Sequence, residues 1–155
     1  MTQKEYMNIV IDMAKTNIEE GGGPFAAIIV KEDKIIGRGV NRVTANNDPT
    51  AHAEVQAIRN ACNQLKTFIL DGCTIYSSCE PCPMCLGAIY WAHIDALCYG
   101  SGREDAAEAG FDDSLIYKEI DLPISKRRLI TSVLMKEEAN TVFDIWKKET
   151  NKTEY

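Results

Sequence analysis

Long apolar runs are missing from this 155-residue chain. None approaches the about 20 residues that a helix needs to cross a bilayer, so no membrane-spanning helix is expected. The opening Met-Thr-Gln-Lys-Glu-Tyr lacks the basic-then-apolar profile of a signal peptide, and a cytoplasmic protein is expected. An excess of basic charge is missing too. Lys and Arg number 17 against 23 Asp and Glu, a formal net charge of −6. That balance removes the broad positive footprint that phosphate backbones attract, so nucleic acid is not the expected partner. Internal repeats and low-complexity segments are absent, and histidine is scarce: only His52 and His93 offer an imidazole.

What is present reads as an ordinary globular mixture, 45% apolar and 26% charged, at a length that suits one domain with a real core. A single domain over 1–155 is expected. Six cysteines raise the question of disulfides, but Cys79, Cys82 and Cys85 crowd into one short segment. Cys62, Cys73 and Cys98 stand in apolar surroundings and read as reduced, buried thiols. Between Gly102 and Asp121, seven carboxylates face only Arg103 and Lys118, a run that reads as solvated surface.

Apolar spacing at Tyr6, Ile9, Val10 and Ala14 predicts a helix that Gly21-Gly22-Gly23-Pro24 stops. Phe25–Val30 and Ile35–Val40, joined by a polar turn at 31–34, predict a hairpin. A loop at Asn46-Asn47-Asp48-Pro49 leads to a helix from about Thr50 to Cys62, with Val55, Ile58 and Cys62 on its buried side. Strand Cys73–Ser77, helix Pro83–His93 and strand Ile94–Tyr99 follow. Farther on, Arg103–Gly110 reads as a short helix and Ile130–Leu134 as a strand. Lys136–Lys148 reads as an amphipathic helix with Ala139, Val142, Phe143 and Trp146 on one side. This alternation predicts an α/β sandwich.

His52-Ala53-Glu54 and, thirty residues on, Pro81-Cys82-Pro83-Met84-Cys85 supply one imidazole, two thiols and a carboxylate. Three such ligands leave a tetrahedral Zn²⁺ one position for water, which marks a catalytic rather than a closed structural zinc. Such a metal generates a nucleophile from water at neutral pH. The paired halves have the H-x-E…P-C-x-x-C form of zinc deaminases, in which the glutamate, here Glu54, moves protons. Backbone groups at Ala53 and Cys82 are candidates for hydrogen bonds to substrate. Residues two apart on a regular helix do not share a face, so His52 and Glu54 serve one site only if it lies over the helix end. Taken singly, His52 reads as a capping or core histidine, and Cys-x-x-Cys as structural zinc or a redox pair. Cys79-x-x-Cys82-x-x-Cys85 also copies the opening of an iron–sulfur run, but that run wants a cysteine at 89, which is Ile89.

The segments Gly-Gly-Pro-Phe-Ala-Ala at 22–27, Asn-Asp-Pro-Thr-Ala-His-Ala-Glu at 47–54 and Tyr-Ser-Ser-Cys-Glu-Pro-Cys-Pro-Met-Cys-Leu-Gly-Ala-Ile-Tyr-Trp at 76–91 resemble the cytidine-deaminase-like superfamily. Ala-Gly-Phe-Asp-Asp-Ser at 109–114 and the terminal Glu-Tyr narrow the resemblance to small bacterial guanine deaminases. The resemblance implies a three-layer α/β/α sandwich with a central mixed sheet and one Zn²⁺ per subunit. It implies hydrolysis of guanine to xanthine and ammonia, with a purine base and water as the partners. Phe25 would stack on the purine, Asn41 would hydrogen-bond the ring and Trp91 would line the pocket. Asp113 would accept from guanine N–H groups, and Tyr155 would close over the base. The family further implies a homodimer that exchanges its C-terminal segments.

Two rival readings stand beside this one. A tRNA adenosine deaminase, or another nucleobase or nucleoside deaminase, shares the catalytic core. A tRNA enzyme would need a basic surface, and Lys126 to Tyr155 holds seven basic against five acidic side chains. A non-catalytic zinc module would fill the fourth position with a protein ligand, for which Cys79 is the candidate.

Overall fold

The computed structural model describes residues 1–155, which fall into two compact units, Met1–Asp113 and Ser114–Tyr155. The first unit opens with helix α1 (Gln3–Glu19), started by a capping box between Thr2 and Glu5. Strands β1 (Ala26–Lys31) and β2 (Lys34–Val40) follow. Their connection is tighter than the four polar residues suggest. Only Glu32 and Asp33 turn, both at positive φ, as a two-residue hairpin requires. The Tyr6 hydroxyl donates to the Asp33 carbonyl at 2.9 Å and ties the turn to α1.

After a short helix α2 (Val43–Asn46) come helix α3 (Ala53–Leu65), strand β3 (Cys73–Cys79), helix α4 (Pro83–Trp91), strand β4 (Ala96–Ser101) and helix α5 (Arg103–Glu108). The sheet order is β2-β1-β3-β4, with β1 antiparallel to both neighbours and β3 parallel to β4, so the sheet is mixed. Alternation along β1 builds the layers: Ala26, Ile28 and Val30 pack with Tyr6, Val10 and Ala14 of α1. Ala27 and Ile29 pack with Ala53, Ala57 and Ala61 of α3 and Ile89 of α4. One helix covers one face and two cover the other, the expected α/β/α sandwich. Each fully buried Ile or Val here contributes about 1.5–3 kcal/mol.

The structure corrects the sequence reading of α3. It begins at Ala53 rather than near Thr50, because Asp48 accepts from both the Thr50 amide and hydroxyl and holds residues 48–50 in a turn. Its buried residues are Ala53, Glu54, Ala57 and Ala61, while Val55, Ile58 and Cys62 are only half-buried. The reason lies on β2, where Gly37 and Gly39 let the helix backbone approach directly. A Cβ on Gly37 would come 2.6 Å from the Ala57 carbonyl, and one on Gly39 would run into the Ala53 carbonyl and the Ala57 amide. All six cysteines are free. Cys73 is buried as expected, whereas Cys62 and Cys98 are partly exposed.

The second unit comprises helix α6 (Ser114–Asp121), a 3-10 turn (Ile124–Lys126) and helix α7 (Lys136–Lys148). The acidic run conceals α6, whose apolar residues Leu115, Ile116 and Ile120 alternate with its charges. The expected strand at Ile130–Leu134 does not form: the segment is irregular and joins no sheet. Ile130, Val133 and Leu134 stay exposed, as do Val142, Phe143 and Trp146 of α7. No helix is long and apolar enough to cross a membrane.

Gly39→Ala is expected to destabilise the protein by about 2–3 kcal/mol through overpacking against backbone that cannot rotate away. Thermal unfolding should register a fall in midpoint of about 4–10 °C; an unchanged midpoint would show that α3 yields to the added methyl.

Candidate metal centre and active site

The three ligand candidates meet at the ends of two helices. His52 is the residue before α3, extended at φ −68°, ψ 155°, and Cys82 is the residue before α4, extended at φ −65°, ψ 168°. Neither side chain caps its own helix, so both are free to point at a shared centre. Pro83 occupies the first position of α4, where its missing N–H costs nothing. Cys85 lies one turn along α4 and is fully buried. His52 Nδ1 stands 3.5 Å from Cys82 Sγ and 3.4 Å from Cys85 Sγ, and the three ligand atoms lie within 4.8 Å of one another.

Bonds of about 2.1 Å to nitrogen and 2.3 Å to sulfur at tetrahedral angles separate two donor atoms by roughly 3.6 Å. The observed spacings fit one Zn²⁺. The positive ends of α3 and α4 both face the sulfurs and favour thiolate. The Cys85 thiol, donating to Cys82, draws Cys82 down to about 4 despite its burial, with help from His52. The same bond pushes Cys85 far up, and a hydrogen bond with Cys82, aided by its charge, raises His52. Cys79 stands apart from this cluster. Its thiol donates to the Gly102 carbonyl at 3.7 Å, and burial, followed by the nearby Glu54 charge, pushes it up to about 11.

Glu54, the second residue of α3, is 7% exposed. Its carboxyl is held above the usual range, by burial first; hydrogen bonds from its own amide, Cys85 and Ser77 oppose the rise. Because His52 precedes the helix and Glu54 lies inside its first turn, the geometric conflict of two residues on one face does not arise. Ala53, between them, is buried with an N–H in the helix's unpaired opening turn.

The remaining candidates divide. Phe25, just before β1, meets Phe111 edge-on at 4.9 Å between ring centres and 85° between planes. Asn41 follows β2; its amide N–H donates to the Phe25 carbonyl and its side-chain oxygen accepts from the Val43 amide at 3.2 Å. That side-chain bond is the local turn bond expected of asparagine, and it leaves the Asn41 NH₂ group unused by it. Asp113 is partly buried, and its carboxyl is raised by burial first and also by the Cys82 charge, which puts it within electrostatic reach of the metal ligands. Trp91 lies at the far end of its helix from the cysteine ligands. It ends α4, 68% exposed, about 13 Å along the axis from the end that carries Cys82. Tyr155 is exposed at the end of the second unit.

Sequence reasoning missed three residues around this centre. Ser77 of β3 donates to Glu54 Oε1 at 3.0 Å. Asn17 of α1, 1% exposed, donates to the Gly23 carbonyl at 2.8 Å and the Asn41 carbonyl at 3.0 Å, joining the loops that carry Phe25 and Asn41. Phe111 supports Phe25. The signal for the first two was a polar residue in an apolar row: Asn17 continues the buried stripe Tyr6, Val10, Ala14, and Ser77 continues Cys73, Ile75.

The family model for the cytidine and deoxycytidylate deaminase zinc-binding region matches residues 1–101. Guanine deaminase of Bacillus subtilis (strain 168) is 50% identical over the full length of both chains. The X-ray structure of guanine deaminase from Bacillus subtilis superposes with a TM-score of 0.97 at 50% identity, covering 100% of this chain and 99% of that one. The tRNA-specific adenosine deaminase of Aquifex aeolicus (strain VF5) is 40% identical over 65% of this chain and 67% of its own. Cys85→Ala, which removes one of three ligands, is expected to lower zinc content from one per chain to well below half at micromolar free metal, read by elemental analysis. Retention of full zinc would point to a replacement ligand. With a donor set that fits zinc and identity along its whole length, the chain belongs to the cytidine and deoxycytidylate deaminase zinc-binding family.

Proposed function

We propose that the protein is a guanine deaminase that hydrolyses guanine to xanthine and ammonia. The observation that carries the choice of substrate is the 50% identity to Bacillus subtilis guanine deaminase from end to end. The tRNA-specific relative from Aquifex aeolicus is similar over about two thirds of the chain. The acidic net charge of −6 also disfavours a tRNA substrate.

In this reading His52, Cys82 and Cys85 hold the metal, which when bound supplies activation of water at neutral pH. Glu54 accepts one proton from the attacking water and delivers it to a ring nitrogen of guanine, then takes the second from the added hydroxyl and gives it to the amine as the C–N bond breaks and the carbonyl forms. Its burial suits the role, since a carboxyl raised toward neutrality both takes and gives a proton readily. Phe25, braced by Phe111, stacks on the purine. The Asn41 NH₂ group and the Ala53 amide offer donors to the ring. Asp113 accepts from guanine N–H groups and would stand unpaired against adenine, which penalises that base. The other expected pocket residues need a second chain. We assign Trp91 and Tyr155 to contacts donated across a homodimer with exchanged C-terminal segments. Exposed Leu129, Ile130, Leu134, Val142 and Phe143 support such an exchange, because apolar side chains in this number ask for a cover. The cytoplasm is the proposed compartment, where six free cysteines stay reduced.

The deciding experiment is ammonia release from the zinc protein with guanine, guanosine, adenine, cytosine and a tRNA. Preference for guanine, with xanthine formed, supports the reading; preference for another member overturns the pocket assignment and keeps the zinc chemistry. Glu54→Gln should keep its zinc and lose about 10²–10⁴-fold in kcat. Near-normal kcat at full zinc content would remove Glu54 from proton transfer. For the exchange, Glu54→Gln and Tyr155→Ala proteins, each inactive, are unfolded together and refolded as a mixture. If Tyr155 serves its partner's site, activity returns to about a quarter of the native value, since half the dimers are mixed and each has one intact site. No recovery would put Tyr155 on its own chain's site.

A further inference from the structure

The face of β3 turned toward α3 and α4 carries Cys73, Ile75, Ser77 and Cys79 in alternation, while Tyr76 turns toward α1. Ser77 is the only hydroxyl in that row and is 2% exposed. The position pairs with Ala27 of β1, deep in the sheet, where an apolar side chain would be the ordinary choice. Its Oγ donates to Glu54 Oε1 at 3.0 Å. The neighbouring Ser78 is engaged elsewhere, its Oγ accepting from the Ala26 amide at 3.1 Å.

We infer that Ser77 is a positioning residue that divides the labour of the two Glu54 oxygens. Oε1 is kept as an acceptor by the Ser77 hydroxyl, and Oε2 carries the travelling proton. Ser77 has a single proton to donate. A proton arriving on Oε1 would occupy one of its two lone pairs and weaken it as the acceptor of that O–H, in a packed layer with no water to replace the bond. A proton arriving on Oε2 leaves the bond intact. The bond also stops the terminal carboxylate torsion from rotating, a torsion that is otherwise broad. Glu54 must serve two proton positions in turn, a ring nitrogen and the departing amine, so one oxygen held in one place shortens both transfers. This inference rests on Glu54 as the proton carrier proposed above.

Threonine and valine at position 77 have the same shape and differ in the hydroxyl, so Ser77→Thr and Ser77→Val separate hydrogen bonding from packing. Both are purified with zinc and measured for zinc content, thermal midpoint, inhibition by xanthine, KM and kcat. The expected result is one zinc per chain and xanthine inhibition within about threefold in both, with kcat about 10–100-fold lower in the valine than in the threonine variant. A purely structural hydroxyl would move the thermal midpoint and leave the two kcat values alike, which would overturn the inference. So would a loss confined to KM. Ser77→Ala, which adds no atom, carries the same comparison against the native serine should the branched pair fail to hold zinc. In the Glu54→Gln background the hydroxyl should no longer matter: Ser77→Thr and Ser77→Val should share one residual rate. A Ser77 effect of full size in that background sinks the inference, whereas normal turnover by Glu54→Gln alone sinks the proton-carrier reading.

Discussion

Helix α3 meets strand β2 with almost nothing between the two backbones, because Gly37 and Gly39 present no side chain toward Ala53, Ala57 and Ala61. From that contact follows the depth at which the helix begins. A thicker strand surface would lift the start of α3 away from the sheet, and His52 and Glu54 with it. The sulfurs of α4 would then have no imidazole at 3.4–3.5 Å, and Glu54 would lose both its burial and its neighbour on β3. Small residues on both surfaces thus set the height of the catalytic group above the sheet.

The two helix starts work as a pair. Each leaves amides unpaired in its opening turn, and each places a ligand on the extended residue just before it. Thiolates gain from both sets of amides, while the carboxylate of Glu54, one step inside α3, is kept from water by the same packing that brings the helices together. One short stretch of polypeptide therefore supplies a charged ligand environment and a carboxyl held above its usual range by burial. The difference is made by position along the first helical turn.

Much of this arrangement is readable in the residues alone. The hairpin and the four strands follow from apolar runs bounded by turn residues, the extent of α7 from helical apolar spacing, and the ligand set from two complementary motifs. What is not readable has physical causes. Apolar size points to Val55, Ile58 and Cys62 as the buried side of α3, yet glycines fourteen or more positions away decide which side of the helix lies deepest. Ile130–Leu134 has strand-like composition, but a strand exists only where an edge accepts it. Helix α6 is masked by charges that alternate with its apolar positions. Ser77 and Asn17 are polar residues inside apolar rows, and their meaning depends on partners 23 and 24 positions away in sequence. Trp91 shows the converse: it is near the cysteine motif in sequence and stands at the opposite end of the helix.

Cys79 bears on the electrical balance of the centre. A divalent ion held by two thiolates and a neutral imidazole has its charge cancelled by its ligands. A third sulfur anion would have tipped the group to a net negative charge and filled the place where water must bind. The Cys79 thiol, turned to a carbonyl and pushed up to about 11, stays a neutral neighbour. These two thiolates and the imidazole would leave a bound metal a strong enough electron acceptor to activate water. An uncharged aromatic ring can approach it without surrendering the hydration of an ion, and a soft metal that prefers three sulfurs finds only two.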